Sequence, residues 1–205
     1  MAIAPAETFK PLQLIPHEPQ SLVPDDTELT PLDFFSLFWN DYILSQIAQA
    51  TNAYADHKRQ GKLGEGWSHP VSTTELRKFL GITIMMGVIR LSNRSQYWRQ
   101  ERMVGKNALS FRRYRQIKRY IHISMPEATA NSRGSRTESP WWTKLEPLHN
   151  HLRHQSQTYF RPGTHVAVDE MMVRFTASGR SKHTVRIPSK PIPVGYKVIA
   201  LCHDG

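Results

Sequence analysis

Cysteine is nearly missing from this sequence: Cys202 is the single one in 205 residues. A lone thiol cannot build an internal disulfide framework or a multi-cysteine zinc site, so an intracellular setting is expected. Long apolar runs are missing too. The longest, "FLGITIMMGVI", is about half of the roughly 20 residues a membrane-spanning helix needs, and it reads as a buried core helix. The opening "MAIAPAETFKPLQLIP" has no basic segment followed by an apolar block, so no secretory signal is expected. Acid is scarce: 17 Asp and Glu stand against 27 Lys and Arg, a formal net charge of +10. That imbalance favours a polyanionic partner, either nucleic acid or an anionic membrane surface, although solubility alone also accounts for it.

What is present divides the chain into three parts. Residues 1–30 carry Pro5, Pro11, Pro16, Pro19 and Pro24, several acids and Lys10 as the only Lys or Arg. Such a composition buries too little surface to order itself, so an acidic, Pro-rich disordered arm is expected. Residues 31–161 read as mainly helical. Thr30 is a cap, Pro31 takes the first helical position, and Leu32, Phe35, Trp39 and Tyr42 recur at three- and four-residue spacing, which predicts one helix running towards Gly61. "GKLGEGWSHPV", residues 61–71, is a Gly-rich turn. It lacks a preceding strand and a Gly-Lys-Ser/Thr ending, so it reads as a linker and not as a phosphate cradle. Ser72 with Glu75 then forms a capping box that opens the apolar helix to about Ile89. With apolar residues on most of its faces, that helix is expected at the centre of the domain.

The next helix, "SFRRYRQIKRYIHI" from Ser110, separates by charge. At about 100° per residue, Phe111, Tyr114, Ile117, Tyr120 and Ile121 fall on one half, and Arg112, Arg115, Lys118 and Arg119 on the other, with Arg113 near the rim of the apolar half. Between Arg77 and Arg119 the only acid is Glu101. A face of one sign repels itself, and a solvated helix more often mixes Glu with Lys and Arg, so contact with a DNA or RNA backbone is the favoured reading over a merely solvated face. Residues 126–140 form a polar loop. A further helix follows, with Trp142, Leu145, Leu148 and Leu152 spaced for burial, ending near "RPG" at residues 161–163. Of its histidines only His151 and His154 share a face, and with no third ligand in reach no metal site is expected.

Residues 162–205 change period. "THVAVDEMMVRF" and "GYKVIALC" alternate as strands, separated by a basic, Pro-broken connection with Arg180, Lys182, Arg186 and Lys190. Two strands alone are marginal, and edges left unpaired around Val168 and Val198 would favour aggregation. The acids Asp169 and Glu170 sit inside the first strand. A carboxylate in a buried strand is costly unless paired or bound to metal, so Asp169 needs a partner or a function. From the residues alone, an acid satisfied by backbone amides and a metal ligand are both open; Glu170 reads as an outward-facing strand acid.

Several segments in this order, "IAQATNAYA", "ELRKFLGITIMMGVIRLSNRSQYW", "FRRYRQIKRYIHIS" and "YFRPGTHVAVDEMMVRF" leading into "IPSKPIPVGYKVIALC", resemble the piggyBac transposase family with its domesticated derivatives, over roughly residues 31–205. The resemblance implies a mainly α N-terminal region that dimerises and binds DNA, followed here by the first two strands of an incomplete ribonuclease H-like α/β domain. It further implies that Asp169 matches the first of three aspartates that hold two Mg²⁺ ions for DNA strand cleavage and transfer, the chemistry of two-metal in-line attack at phosphorus. The other two aspartates would lie beyond Gly205, and Asp204 falls in a turn where the family has no catalytic acid. One carboxylate cannot position two metals.

The expectation is therefore a DNA-binding remnant without independent catalysis, touching DNA through Arg112, Arg113, Arg115, Lys118, Arg119 and Lys190, with Asp169 a remnant metal ligand and no metal bound. Two alternatives stay open: a fragment of an active metal-dependent transposase, and a regulatory module dimerising with a full-length one. A nuclear location is expected from the DNA-binding reading and clusters such as "RRYRQIKR", with DNA and a second copy or a full-length transposase as partners, and no membrane.

Overall fold

The computed structural model describes residues 15–23, 29–64, 66–99, 104, 108–126, 141–175 and 183–203, with backbone only at Trp141. They belong to two compact units, one of residues 27–156 and the other of residues 1–26 with 157–205.

The first unit is helical. Helix α1 (Pro31–Phe38) starts at a capping box in which Thr30 Oγ1 accepts from the Asp33 amide and the Asp33 carboxylate accepts from the Thr30 amide. The single helix expected towards Gly61 is broken at Trp39 and Asn40. Asn40 leaves the helical conformation and its side-chain oxygen accepts from the Ile43 amide at 3.1 Å, which starts α2 (Asp41–Arg59) afresh. Helix α2 ends at Gln60, whose φ of 52° is left-handed, and Gly61 continues the turn at 73° without a Cβ penalty. Helix α3 (Thr73–Val88) opens with the Ser72–Glu75 capping box. Contrary to expectation, it buries only one face. Leu76, Phe79 and Ile82 enter the core, whereas Ile84 is 52% and Val88 79% exposed.

A short helix α4 (Gln96–Arg99) precedes α5 (Phe111–Tyr120), and the core is the seam where α2, α3 and α5 meet, with Leu44, Leu76, Phe79, Tyr114 and Ile117 at its centre. The last helical piece is a 3-10 turn (Trp141–Lys144) followed by α6 (Glu146–Tyr159). Its expected burial is only partial: Leu148 packs on the core and Leu152 is half-buried, whereas Trp142 and Leu145 are exposed and no α6 residue is fully buried. His151 is taken up by the Phe38 carbonyl, 2.8 Å from its Nε2.

The second unit holds two small antiparallel sheets. Strand β1 (Gln20–Ser21) pairs with β2 (Phe160–Arg161), so part of the arm expected to be disordered is placed as a strand. It is anchored by reciprocal bonds: the His17 amide donates to Thr164 Oγ1 at 2.7 Å and the Thr164 amide donates to the His17 carbonyl at 3.0 Å. Backbone pairing to a chain already held in a turn supplies the order that composition lacks. The remainder of the arm, residues 1–14 and 24–28, lies outside the described residues, as do residues 127–140 of the loop expected at 126–140.

The other sheet has the order β3-β5-β4. Strands β3 (Val166–Arg174) and β5 (Val194–His203) pair along their full length, as the alternation predicts, with Asp169 opposite Ala200 and Glu170 opposite Ile199. The connection between them contributes a short strand β4 (Val185–Arg186) on the far side of β5.

Candidate nucleic-acid interface

Helix α5 is fixed before its charges are considered. Ser110 caps it by accepting from the Arg113 amide at 3.2 Å, and Tyr114, Ile117 and Tyr120 lock one face into the core. Arg112, Arg115, Lys118 and Arg119 are exposed on the opposite face, as the sequence pattern requires. Arg115 lies over the Phe111 ring, 5.8 Å from its centroid, and Arg119 over the Tyr120 ring at 5.7 Å. Both guanidinium groups thus lean on aromatic faces that restrict their rotamers.

Arg113 departs from the expectation that it reaches DNA. It is 6% exposed, with Nε 2.7 Å and Nη2 2.9 Å from the two Glu75 carboxylate oxygens. Nη1 donates to Gln116 Oε1 at 3.2 Å, Nη2 to the Pro70 carbonyl at 3.2 Å, and the guanidinium sits 4.8 Å from the Trp67 ring centroid. A buried cation with its bonds so occupied cannot also serve a phosphate; Arg113 holds α5 to the first turn of α3 and to the 66–70 segment. The sequence carried the signal: on the helical wheel, Arg113 lies between Ile117 and Tyr120, and a cation there needs a buried acid, which the Glu75 of the capping box supplies. Burial pushes the Glu75 carboxyl up, but the Arg113 hydrogen bonds, the Ser72 amide and the charges of Arg113 and His69 hold it, on balance, below the usual glutamate range.

The exposed cations open onto concave surface. One cleft is lined by Gly66, Phe111, Arg112, Arg115 and Arg119. A Cβ at Gly66 would stand 2.3 Å from Arg59 Nη1, the far end of a flexible side chain that can shift to make room. A second cleft is lined by Asn93, Arg94, Phe111, Arg115 and Lys118. Burial lowers the Lys118 ammonium pKa, and the neighbouring positive charge of Arg94 lowers it further. Arg94 was absent from the residues expected at the interface because it belongs to a turn and not to the α5 pattern.

The remaining expected residues lie in the sheet unit. Lys190 Nζ is 4.0 Å from Glu170 Oε1, and Lys197 ion-pairs with the same carboxylate. Glu170 is thus a paired strand acid, and the charge of Lys190 is partly balanced. Asp169 is exposed on the other face of β3, its Oδ1 accepting from the Glu170 amide at 2.7 Å. Successive strand residues point to opposite faces, so Glu170 cannot share an ion with Asp169. Among the described residues no group of three His, Cys, Asp or Glu side chains comes together, so the residues described here do not fit a two-metal site. No helix among them is long and apolar enough to cross a membrane.

Comparison with known proteins points to one family. A family model described as transposase IS4 matches residues 30–204. The chain is 24% identical over 172 residues to the human PiggyBac transposable element-derived protein 3, an alignment covering 82% of this chain and 26% of that protein. It is 25% identical over 176 residues to the human PiggyBac transposable element-derived protein 2, covering 83% of this chain and 27% of that one. The chain therefore spans about a quarter of the length of these curated relatives. Among solved structures it is similar to the piggyBac transposase synaptic complex with hairpin DNA, with a TM-score of 0.71, 27% identity, and coverage of 85% of this chain and 36% of that one. The chain belongs to the transposase IS4 family, on its piggyBac side.

Proposed function

We propose that this chain is a DNA-binding remnant of a cut-and-paste transposase, acting without catalysis of its own and holding duplex DNA by its phosphates. The observation that carries the reading is the exposed arc of Arg112, Arg115, Lys118 and Arg119 on α5, backed by a rigid core and open to clefts on both sides. Cations on a helix fixed by its buried face meet a polyanion without the entropy loss of ordering it. The structural relative that is a transposase complex with hairpin DNA supports the same partner. Nuclear residence belongs to this reading.

The β3–β5 pair carrying Asp169 fits the start of a ribonuclease H-like domain, and its chemistry would need carboxylates that the described residues do not bring to Asp169. A second reading, a portion of an active metal-dependent transposase, is favoured by the short share of its relatives that the chain spans. Sequencing the transcript past the codon for Gly205 separates the two. A regulatory role through pairing with a second copy or a full-length transposase would use Leu32, Phe34 and Tyr42, which are exposed.

The test is equilibrium binding to a duplex oligonucleotide across salt concentrations. A log–log slope of about −0.9 per phosphate contact is expected, reduced in the triple variant R112Q/R115Q/R119Q by roughly 2 to 3 units, with little discrimination between sequences. A flat salt response overturns the proposal.

A further inference from the structure

Building on the DNA-binding reading, we infer that Lys118 and Arg94 form a second phosphate seat on the far flank of α5 from Arg112 and Arg119, so that the helix grips both strands of a duplex from within one groove. Three observations carry this.

The first is angular. At about 100° per residue, the exposed arc of α5 runs from Lys118 through Arg115 to Arg119 and Arg112, spanning roughly 120°. A helix lying along a single strand needs one row of cations, and Arg112, Arg115 and Arg119 at i, i+3 and i+7 already make such a row. Lys118 lies outside it, turned towards residues 92–94 and away from Gly66.

The second is the cleft itself. It encloses about 320 Å³ between Ser92, Asn93, Arg94, Arg115 and Lys118. The positive charges of Arg94 and Lys118 disfavour each other, and burial adds to that cost at Lys118. Two cations brought together at the mouth of a cleft are relieved by an anion placed between them. Phe111 and Arg115 belong to both clefts, which makes them the ridge between two seats.

The third is rigidity. The turn before α4 is closed by its own side chains: the Ser95 amide donates to Asn93 Oδ1 at 2.9 Å, and the Asn93 amide to Gln96 Oε1 at 3.3 Å. Buried Tyr97 accepts from the Leu91 amide at 3.0 Å and donates to the Ile89 carbonyl, fastening α4 to the end of α3. Trp98 lies between Phe111 and Tyr114, at 4.9 and 5.2 Å between centroids, and its indole donates to the Leu109 carbonyl at 2.7 Å. Arg94 is therefore carried on an element clamped to α5, and the two seats keep a fixed separation across the helix. An α-helix with its side chains is about 10–12 Å across and the major groove of B-DNA about 12 Å wide, so cations on both flanks of one helix meet phosphates of both walls.

The ligand is the phosphodiester backbone of duplex DNA. The experiment compares the wild-type chain with R94Q, with R112Q/R119Q, and with the three changes combined, by fluorescence anisotropy on a duplex over a salt series, with circular dichroism to show that each variant is folded. The altered residues are exposed, so folding is expected to persist. R94Q should weaken binding by roughly 3- to 10-fold and lower the salt slope by about 0.9. R112Q/R119Q should lower the slope by about twice that, and the combination should be additive. If R94Q leaves the slope unchanged while R112Q/R119Q reduces it, the second seat is overturned and the DNA-binding reading stands. If the wild-type chain shows no salt-dependent binding, both fall.

Discussion

Arg113 shows how one position in a basic run can have a different task from its neighbours. Arg112 and Arg115 are exposed, while Arg113 is buried against Glu75, Gln116, Pro70 and Trp67. Removing one partner of such a pair leaves an uncompensated charge in the interior, at a cost of about 3–5 kcal/mol when burial is complete. Glu75 keeps 19% of its side chain exposed, so Arg113→Ala is expected near the lower end, about 3 kcal/mol, read by urea unfolding. Arg112→Ala should stay within about 0.5 kcal/mol as an ordinary surface change. Equal effects for the two would mean that Arg113 is not a strut. At Asp169 the residue scale gives a smaller result. The carboxylate is exposed and bonded to the next amide, so the cost of burial that its strand setting suggests does not arise in the described residues.

Among elements, the β3–β5 pair depends on Gly195. It lies opposite Arg174, and a Cβ there would stand 2.2 Å from the Val173 carbonyl oxygen and 2.9 Å from its carbon. Backbone atoms cannot step aside as a flexible side chain can. Gly195→Ala should therefore open the end of the ladder and destabilise the sheet unit by about 1–3 kcal/mol, seen as faster hydrogen exchange at the amides of β3 and β5. Gly66→Ala is the contrasting case. Its close neighbour is the end of the Arg59 side chain, so Arg59 can move and exchange elsewhere should be unaffected. Unchanged exchange in Gly195→Ala would show that the register slips to accommodate it. The same sheet leaves Val168, Ile199 and Leu201 at 71%, 70% and 65% exposure, an exposed apolar face that is a different feature from the unpaired strand edges expected around Val168 and Val198.

For the molecule as a whole, stability should fall in acid through the helical unit. His122 stacks on Tyr54 at 4.1 Å and exchanges backbone bonds with Thr51 Oγ1. Burial, then the charge of Lys144, holds its pKa below the usual histidine value, against a backbone hydrogen bond that raises it. The folded state prefers the neutral ring, so this contribution is full above the unfolded value near 6.5 and is lost as pH falls through the lower folded value. Glu75, also depressed, adds a contribution that is full above about 4.3 and disappears below it. Thermal unfolding from pH 7.5 downwards should show the melting temperature dropping first below about pH 6.5 and again below about pH 4.3. His122→Gln should remove the first step. A melting temperature constant between pH 7.5 and 5 would refute the role of His122.

The sequence by itself determined the caps at Thr30 and Ser72, the amphipathic split of α5, the strand alternation of β3 and β5, and the family, because each is written in local spacing or in the order of short segments. It misjudged the span from Pro31 towards Gly61, where the cap at Asn40 outweighs the helical period, and the surroundings of α3, whose apolar residues at Ile84 and Val88 find no partner among the described residues. Tertiary structure alone decided that Glu75 neutralises Arg113 from 38 residues away, that Arg94 flanks Lys118, and that residues 17–21 are held by the chain around Phe160 and Thr164. The physical reason is common to all three. Charge pairing and backbone pairing act through space over a few ångströms, and only the folded chain sets which distant residues come that close.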